Sequence, residues 1–134
     1  MQTTATEHTG WVRGLSMWPN LIPGDILRAS ECHASDLRPG MIAVFPGDEV
    51  SRFIVHRVAR VWNYSGTVVV VSAGDRSGLD DERRLLNPCD TVKIVKGVLR
   101  KGRYRCVTSI RVSPELFTMP FAKIYCGIVR RFFW

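Results

Sequence analysis

The sequence predicts a mainly β protein of antiparallel strands with a C-terminal helical segment. Three observations carry that prediction. Short apolar runs of strand length follow turn signals, as at Pro23-Gly24-Asp25 and Pro39-Gly40, and the second run is stopped by Pro46-Gly47-Asp48. Residues 52–62 alternate over a length that only a strand explains. No helical periodicity is present before residue 113.

Taken in order, residues 1–10 are polar and predict a flexible N-terminus. Residues 11–15 are short and partly apolar, and they lead into Gly14-Leu-Ser-Met-Trp-Pro-Asn-Leu-Ile-Pro-Gly-Asp25. Two prolines in that stretch fix φ and push the residue before each towards extended backbone, so it cannot be an ordinary helix. Residues 25–29 predict a strand, residues 30–36 a polar loop, and residues 41–45 an apolar strand. In the 52–62 strand, Phe53, Val55, Arg57, Ala59 and Val61 fall on one face. Ile54, His56, Val58, Arg60 and Trp62 fall on the other. Asn63-Tyr-Ser-Gly66 predicts a hairpin loop, and the β-branched run 67–72 its return strand. The charged, glycine-containing stretch 74–84 predicts a loop. Residues 91–100 and 103–110 predict a second hairpin across Lys101-Gly102.

The C-terminus changes character. Ser113-Pro114 suits a helix start, with Ser as N-cap and Pro at the first helical position. Leu116, Phe117, Phe121, Ile124, Tyr125, Ile128 and Phe132 then recur at helical spacing, interrupted by Pro120. Two readings stand for residues 113–134: an amphipathic helix packed on the sheet, or a segment contacting a membrane surface peripherally through Arg-Arg-Phe-Phe-Trp134. The organisation expected is therefore one β domain over 11–112, flanked by the N-terminal residues and this segment.

Composition narrows the class. With 134 residues, one domain can bury roughly two-thirds of its unfolded surface. No apolar run approaches the roughly 18 residues of a membrane span, and the N-terminus lacks the apolar core of a secretory signal. A soluble chain is expected, cytoplasmic or peripherally membrane-associated. The net charge of +7 is spread along the chain without a nucleic-acid-binding signature, so no nucleic-acid partner is expected. Cys32, Cys89, Cys106 and Cys126 form no C-x-x-C pair, which predicts free thiols, no metal site and no cofactor.

The candidate chemistry centres on Ser16. Held by rigid backbone at a strand end, it is a plausible nucleophile and equally a turn serine serving local hydrogen bonds. A serine nucleophile needs a base that is neutral near pH 7, and commonly a third group to orient it. Of the three histidines, His8 lies in the polar N-terminus, His33 in a loop, and His56 mid-strand. Asp75, Asp80 and Asp81 follow on the returning arm, where they could serve His56 or simply cap turns.

The order of these pieces resembles the signal peptidase I family of serine endopeptidases, in its endoplasmic-reticulum and archaeal branch. The resemblance lies in Gly-Leu-Ser16-Met-Trp-Pro-Asn-Leu, Ile54-Val-His56-Arg57-Val58, the Gly74-Asp75-Arg-Ser-Gly-Leu-Asp80-Asp81 loop, and Ile94-Val-Lys-Gly97-Val98. It covers about residues 11 to 100. It implies the family's fold of coiled antiparallel sheets, shared with the SOS-repressor protease. It also implies Ser16 as nucleophile and His56 as general base. Asp81 would be the orienting carboxylate, with Asp75 the second candidate. The Ser16 backbone N–H would donate to the oxyanion. The substrate would be a peptide or protein bound as an extended strand, of leader or signal type. Consistent with a histidine base, no lysine precedes Lys93.

Two departures stand out. Gly14 occupies a position where many relatives carry a serine that assists the oxyanion, and the family's N-terminal membrane helix is not seen here. Two further readings therefore accompany the peptidase: a catalytically inactive peptide-binding or assembly module on the same fold, and a self-cleaving repressor-like regulator. The last needs a lysine base and a segment before the fold, and only 15 residues precede Ser16.

Overall fold

The computed structural model describes residues 6–49, 52–76 and 80–107, with the side chains of residues 80 and 81 also outside the description. Eight strands stand among the described residues: β1 (Glu7–Trp11), β2 (Ile26–His33), β3 (Ile42–Pro46), β4 (Phe53–Tyr64), β5 (Thr67–Ala73), β6 (Asp80–Leu86), β7 (Thr91–Arg100) and β8 (Arg103–Cys106). A single 3-10 turn, Ala34–Asp36, separates β2 from β3. The strands form one antiparallel sheet in the order β1-β2-β7-β3-β4-β5-β6, with β8 added to β7, curled into a half-barrel. The predicted mainly β class is the observed one. The C-terminal helical segment expected over 113–134 lies outside the described residues.

Two apolar clusters share β3 and β7 between them. Ala43 and Phe45 pack with Val58, Val68, Val70, Val92 and Ile94. Ile42 packs on the opposite side with Met17, Leu21, Leu27, Val95 and Val98. Successive strand residues point to opposite faces, so a strand covered on both sides must be apolar throughout. That is why residues 41–45 carry no polar side chain.

The hairpins follow from their turns. Ser65 and Gly66 both take positive φ, 47° and 78°, as do Lys101 and Gly102, at 51° and 71°. Two consecutive left-handed residues match the twist of paired strands and make the tightest connection. The four-residue loop expected at residues 63–66 therefore contracts to two, and β4 continues through Tyr64.

Other expectations are corrected. Residues 7–10 are not a flexible tail but part of β1, registered from Glu7↔Ser30 to Trp11↔Ile26. Side-chain contacts tie this polar strand to β2, through Arg28–Glu7 and His8–Glu31. Residues 30–33, expected in a loop, extend β2. Part of the loop expected over 74–84 is strand β6, paired along β5 from Val68↔Leu86. The alternation of β4 is broken by a register shift between Val58 and Arg60. An extra residue there reverses which side chains face inward, so Val58 and Val61 pack in the same cluster.

Cys32, Cys89 and Cys106 are free thiols. Burial pushes the Cys32 thiol above its ordinary range, with Asp36 adding to the effect and Lys96 opposing it. The thiolate is the reacting form, so Cys32 is expected to alkylate more slowly at pH 8 than the exposed Cys89 and Cys106. Peptide-mapped iodoacetamide labelling over time checks this; equal rates at all three would contradict it.

Candidate functional site

Ser16 lies on the 12–25 connection between β1 and β2, and that connection is pinned at both ends. Val12 N donates to Asp25 O at 2.9 Å and Gly24 N donates to Val12 O at 3.0 Å. Between them the chain turns repeatedly, with Trp18 N donating to Leu15 O at 3.1 Å, Leu21 N to Met17 O at 3.0 Å and Asp25 N to Ile22 O at 3.1 Å. Met17 and Trp18 are each 2% exposed, whereas Ser16 itself is exposed. The apolar pair after the serine thus anchors the turn in the core and leaves the hydroxyl-bearing residue at the surface.

Two buried carboxylates hold this connection from below. Asp25 accepts from Ile22 N at 3.0 Å and from Arg100 Nε and Nη2, both at 2.7 Å. Arg100 also donates to Asn20 O at 3.2 Å. Asp75 accepts from Asn20 Nδ2 at 2.6 Å. It also takes a bidentate pair from Arg57, with Nε to Oδ1 at 2.8 Å and Nη2 to Oδ2 at 2.9 Å. Arg57 completes its fork on Gly40 O at 2.7 Å. Arg57 and Asp75 are 4% and 1% exposed, so this is a fully buried, geometrically matched ion pair.

The 74–76 stretch also touches Ser16 directly. Arg76 N donates to Ser16 O at 2.9 Å. Gly74 sits so close that a Cβ there would stand 2.7 Å from Ser16 O and 3.2 Å from Ser16 Cβ. Only a residue without a side chain admits this approach.

Ser16 and His56 line one cleft of about 1000 Å³. Its floor is apolar, with Met17, Leu27, Val44 and Val55. His56 is half-buried in β4, paired with Ala43 of β3. The cleft is bordered by β1 and by residues 53–56 of β4. Among the described residues β1 pairs only with β2, and residues 53–56 pair only with β3, because β5 joins β4 from Arg57↔Ala73 onwards. Among the described residues each border strand therefore keeps one edge unpaired, with backbone groups that could join another strand.

Of the sequence-predicted residues, Ser16 and His56 share the cleft, and Asp75 lies beneath the serine turn in contact with Arg57 and Asn20. Asp81 belongs to β6, at the register shift where Ala73 pairs Asp80 and Ser72 pairs Glu82. Its side chain lies outside the described residues. Arg57, Asn20, Asp25 and Arg100 went unassigned in the sequence. Arg57 is buried in β4 whereas Arg60 of the same strand is exposed, and a buried guanidinium requires a partner, a distinction the sequence does not mark. Among the described residues no group of three or more His, Cys, Asp or Glu is disposed to hold a metal, and no helix is long and apolar enough to cross a membrane. His33 lies with Nδ1 3.3 Å from Cys89 O. No protein-family model matches the chain, and neither a curated protein nor a solved structure matches it.

Proposed function

We propose that this protein is a serine endopeptidase of the signal peptidase type, with Ser16 as nucleophile and His56 as general base. The observation that carries this reading is the convergence of three separate sequence boxes on one place. Exposed Ser16 and half-buried His56 line the same cleft, and the 74–76 stretch is docked on Ser16.

In the proposed reaction the His56 imidazole takes the Ser16 hydroxyl proton as Oγ bonds to the scissile carbonyl carbon. The resulting oxyanion accepts from the Ser16 backbone N–H. The imidazolium then gives its proton to the departing amine, leaving an acyl-serine that water hydrolyses with the same base. Asp81 is the proposed orienting carboxylate for His56. Asp75 acts one step removed, holding Arg57 beside His56 and Asn20 beside the serine turn. The substrate lies extended between β1 and residues 53–56, adding its backbone to their open edges.

The experiment is peptide cleavage by the natural chain, Ser16→Ala and His56→Ala. Removing a triad member typically lowers turnover by about 10⁴-fold or more, and that loss is expected in both variants. Cleavage of any peptide that Ser16→Ala leaves intact would sink the assignment. Because protonated imidazole cannot accept the hydroxyl proton, turnover should also fall on acidification. A profile flat from about pH 5 to 8 would contradict a histidine base.

A further inference from the structure

The cleft is not uniform in its lining. Apolar Met17, Leu21, Leu27, Val44 and Val55 line it together with charged groups, among them Lys93. Cross-strand register locates Lys93: Val55 pairs Val44, Val44 pairs Lys93, and Lys93 pairs Glu31, one row across four strands. Lys93 is half-buried, on a central strand, and its ammonium lies 5.8 Å from the centroid of the Phe53 ring. Beside it, the Glu31 carboxylate is already engaged by His8 at 2.8 Å. Among the described residues no carboxylate lies within ion-pair distance of Lys93. Arg52 and Asp48 from the β3–β4 connection also line the cleft.

Lys93 lines the groove as a half-buried residue with its ammonium near an aromatic face, and that face meets only part of what an ammonium can bind. An incoming carboxylate would complete the site. A continuous apolar segment would do the opposite, pressing hydrocarbon against Lys93 and the His8–Glu31 pair. We infer that Lys93 is a specificity-determining residue that selects an acidic side chain on an extended peptide, within about three residues of the bond presented to Ser16. The spacing comes from β4: Lys93 is level with Val55, one residue before His56, and its ammonium reaches towards the ring of Phe53, three residues before His56. The substrate class is therefore an extended peptide with an acid near the bond, rather than a long apolar leader. This inference rests on the peptidase reading of the cleft.

The test uses fluorogenic peptides with alanine around a central bond. Asp, Asn or Lys is placed singly at each of the second to fifth positions on either side. The natural chain is expected to show about a tenfold higher kcat/KM for Asp over Asn at one position within about three residues of the bond, the worth of a charge-assisted contact. Lys93→Gln should erase that ratio, and Lys93→Glu should shift the preference to the Lys peptide. Equal rates for Asp, Asn and Lys peptides at every position, with cleavage still dependent on Ser16, would overturn the role of Lys93 alone. An acid preference that survives Lys93→Glu would do the same. No Ser16-dependent cleavage of any peptide would overturn the peptidase reading and this inference with it. The comparison among peptides on the natural chain requires no variant to fold.

Discussion

Asp75→Ala is expected to cost about 3–5 kcal/mol of folding stability, because it leaves the Arg57 guanidinium buried without its carboxylate. Both partners are almost fully enclosed, at 4% and 1% exposure, so water cannot replace the lost contact without opening the structure. The carboxylate also receives Asn20 Nδ2 at 2.6 Å, and that amide loses its acceptor in the same change. For a domain of this size the melting temperature should fall by roughly 10–20 °C. Arg57→Met should cost a similar amount, since it strands Asp75 instead. The double variant should cost less than the sum of the two, with a coupling of at least about 1 kcal/mol between groups sharing one ion pair. Urea unfolding of the four proteins checks this. Additive losses, or single-variant losses under about 1 kcal/mol, would show that the pair does not hold the serine turn to β4.

Gly74→Val is expected to act on the site more than on the fold. The added Cβ would meet Ser16 O at 2.7 Å, a backbone atom that cannot swing aside like the end of a long side chain. Relief requires the serine turn or the 74–76 stretch to move, and the Arg76 N to Ser16 O bond of 2.9 Å is the first contact to suffer. Overpacking of this kind costs about 1–3 kcal/mol. Displacing a nucleophile by about 1 Å can cost on the order of 10²-fold in rate. Gly14 provides the control: a Cβ there meets nothing within 4 Å, so Gly14→Ala should change neither stability nor rate appreciably. Cleavage rates for the two alanine and valine variants, measured with their melting temperatures, separate a displaced serine from a weakened fold. Full activity in Gly74→Val would mean that Ser16 does not depend on this contact.

Strands set by their own side chains were legible in the sequence, and strands set by their neighbours were not. The β-branched run of β5 and the apolar run of β3 announce themselves, because burial on both faces demands hydrocarbon at every position. β6 reads Asp-Asp-Glu-Arg-Arg-Leu-Leu and resembles a solvated loop. It is a strand because the edge of β5 offers a ladder, and charged residues are what an exposed edge favours. β1 was missed for the same reason, its polar residues gaining their order from pairing with β2. The bulge at Ala59 left no mark in an unbroken alternation.

The site divides similarly. Ser16, His56 and Asp75 were legible as members of boxes in a particular order. Arg57–Asp75 and Asn20–Asp75 join residues 18 and 55 positions apart, and only the folded sheet brings those groups together. Lys93 was visible only as a late lysine. Its place in the cleft depends on β7 inserting between β2 and β3, which no local pattern encodes.

The central claim, that Ser16 is a nucleophile activated in this cleft, is tested most directly by a fluorophosphonate probe with the modified residue located by mass spectrometry. The account predicts labelling of the folded natural chain on Ser16, lost in Ser16→Ala and sharply reduced in His56→Ala. Equal labelling of the natural chain and Ser16→Ala, or a folded protein that takes no label at Ser16, would contradict it.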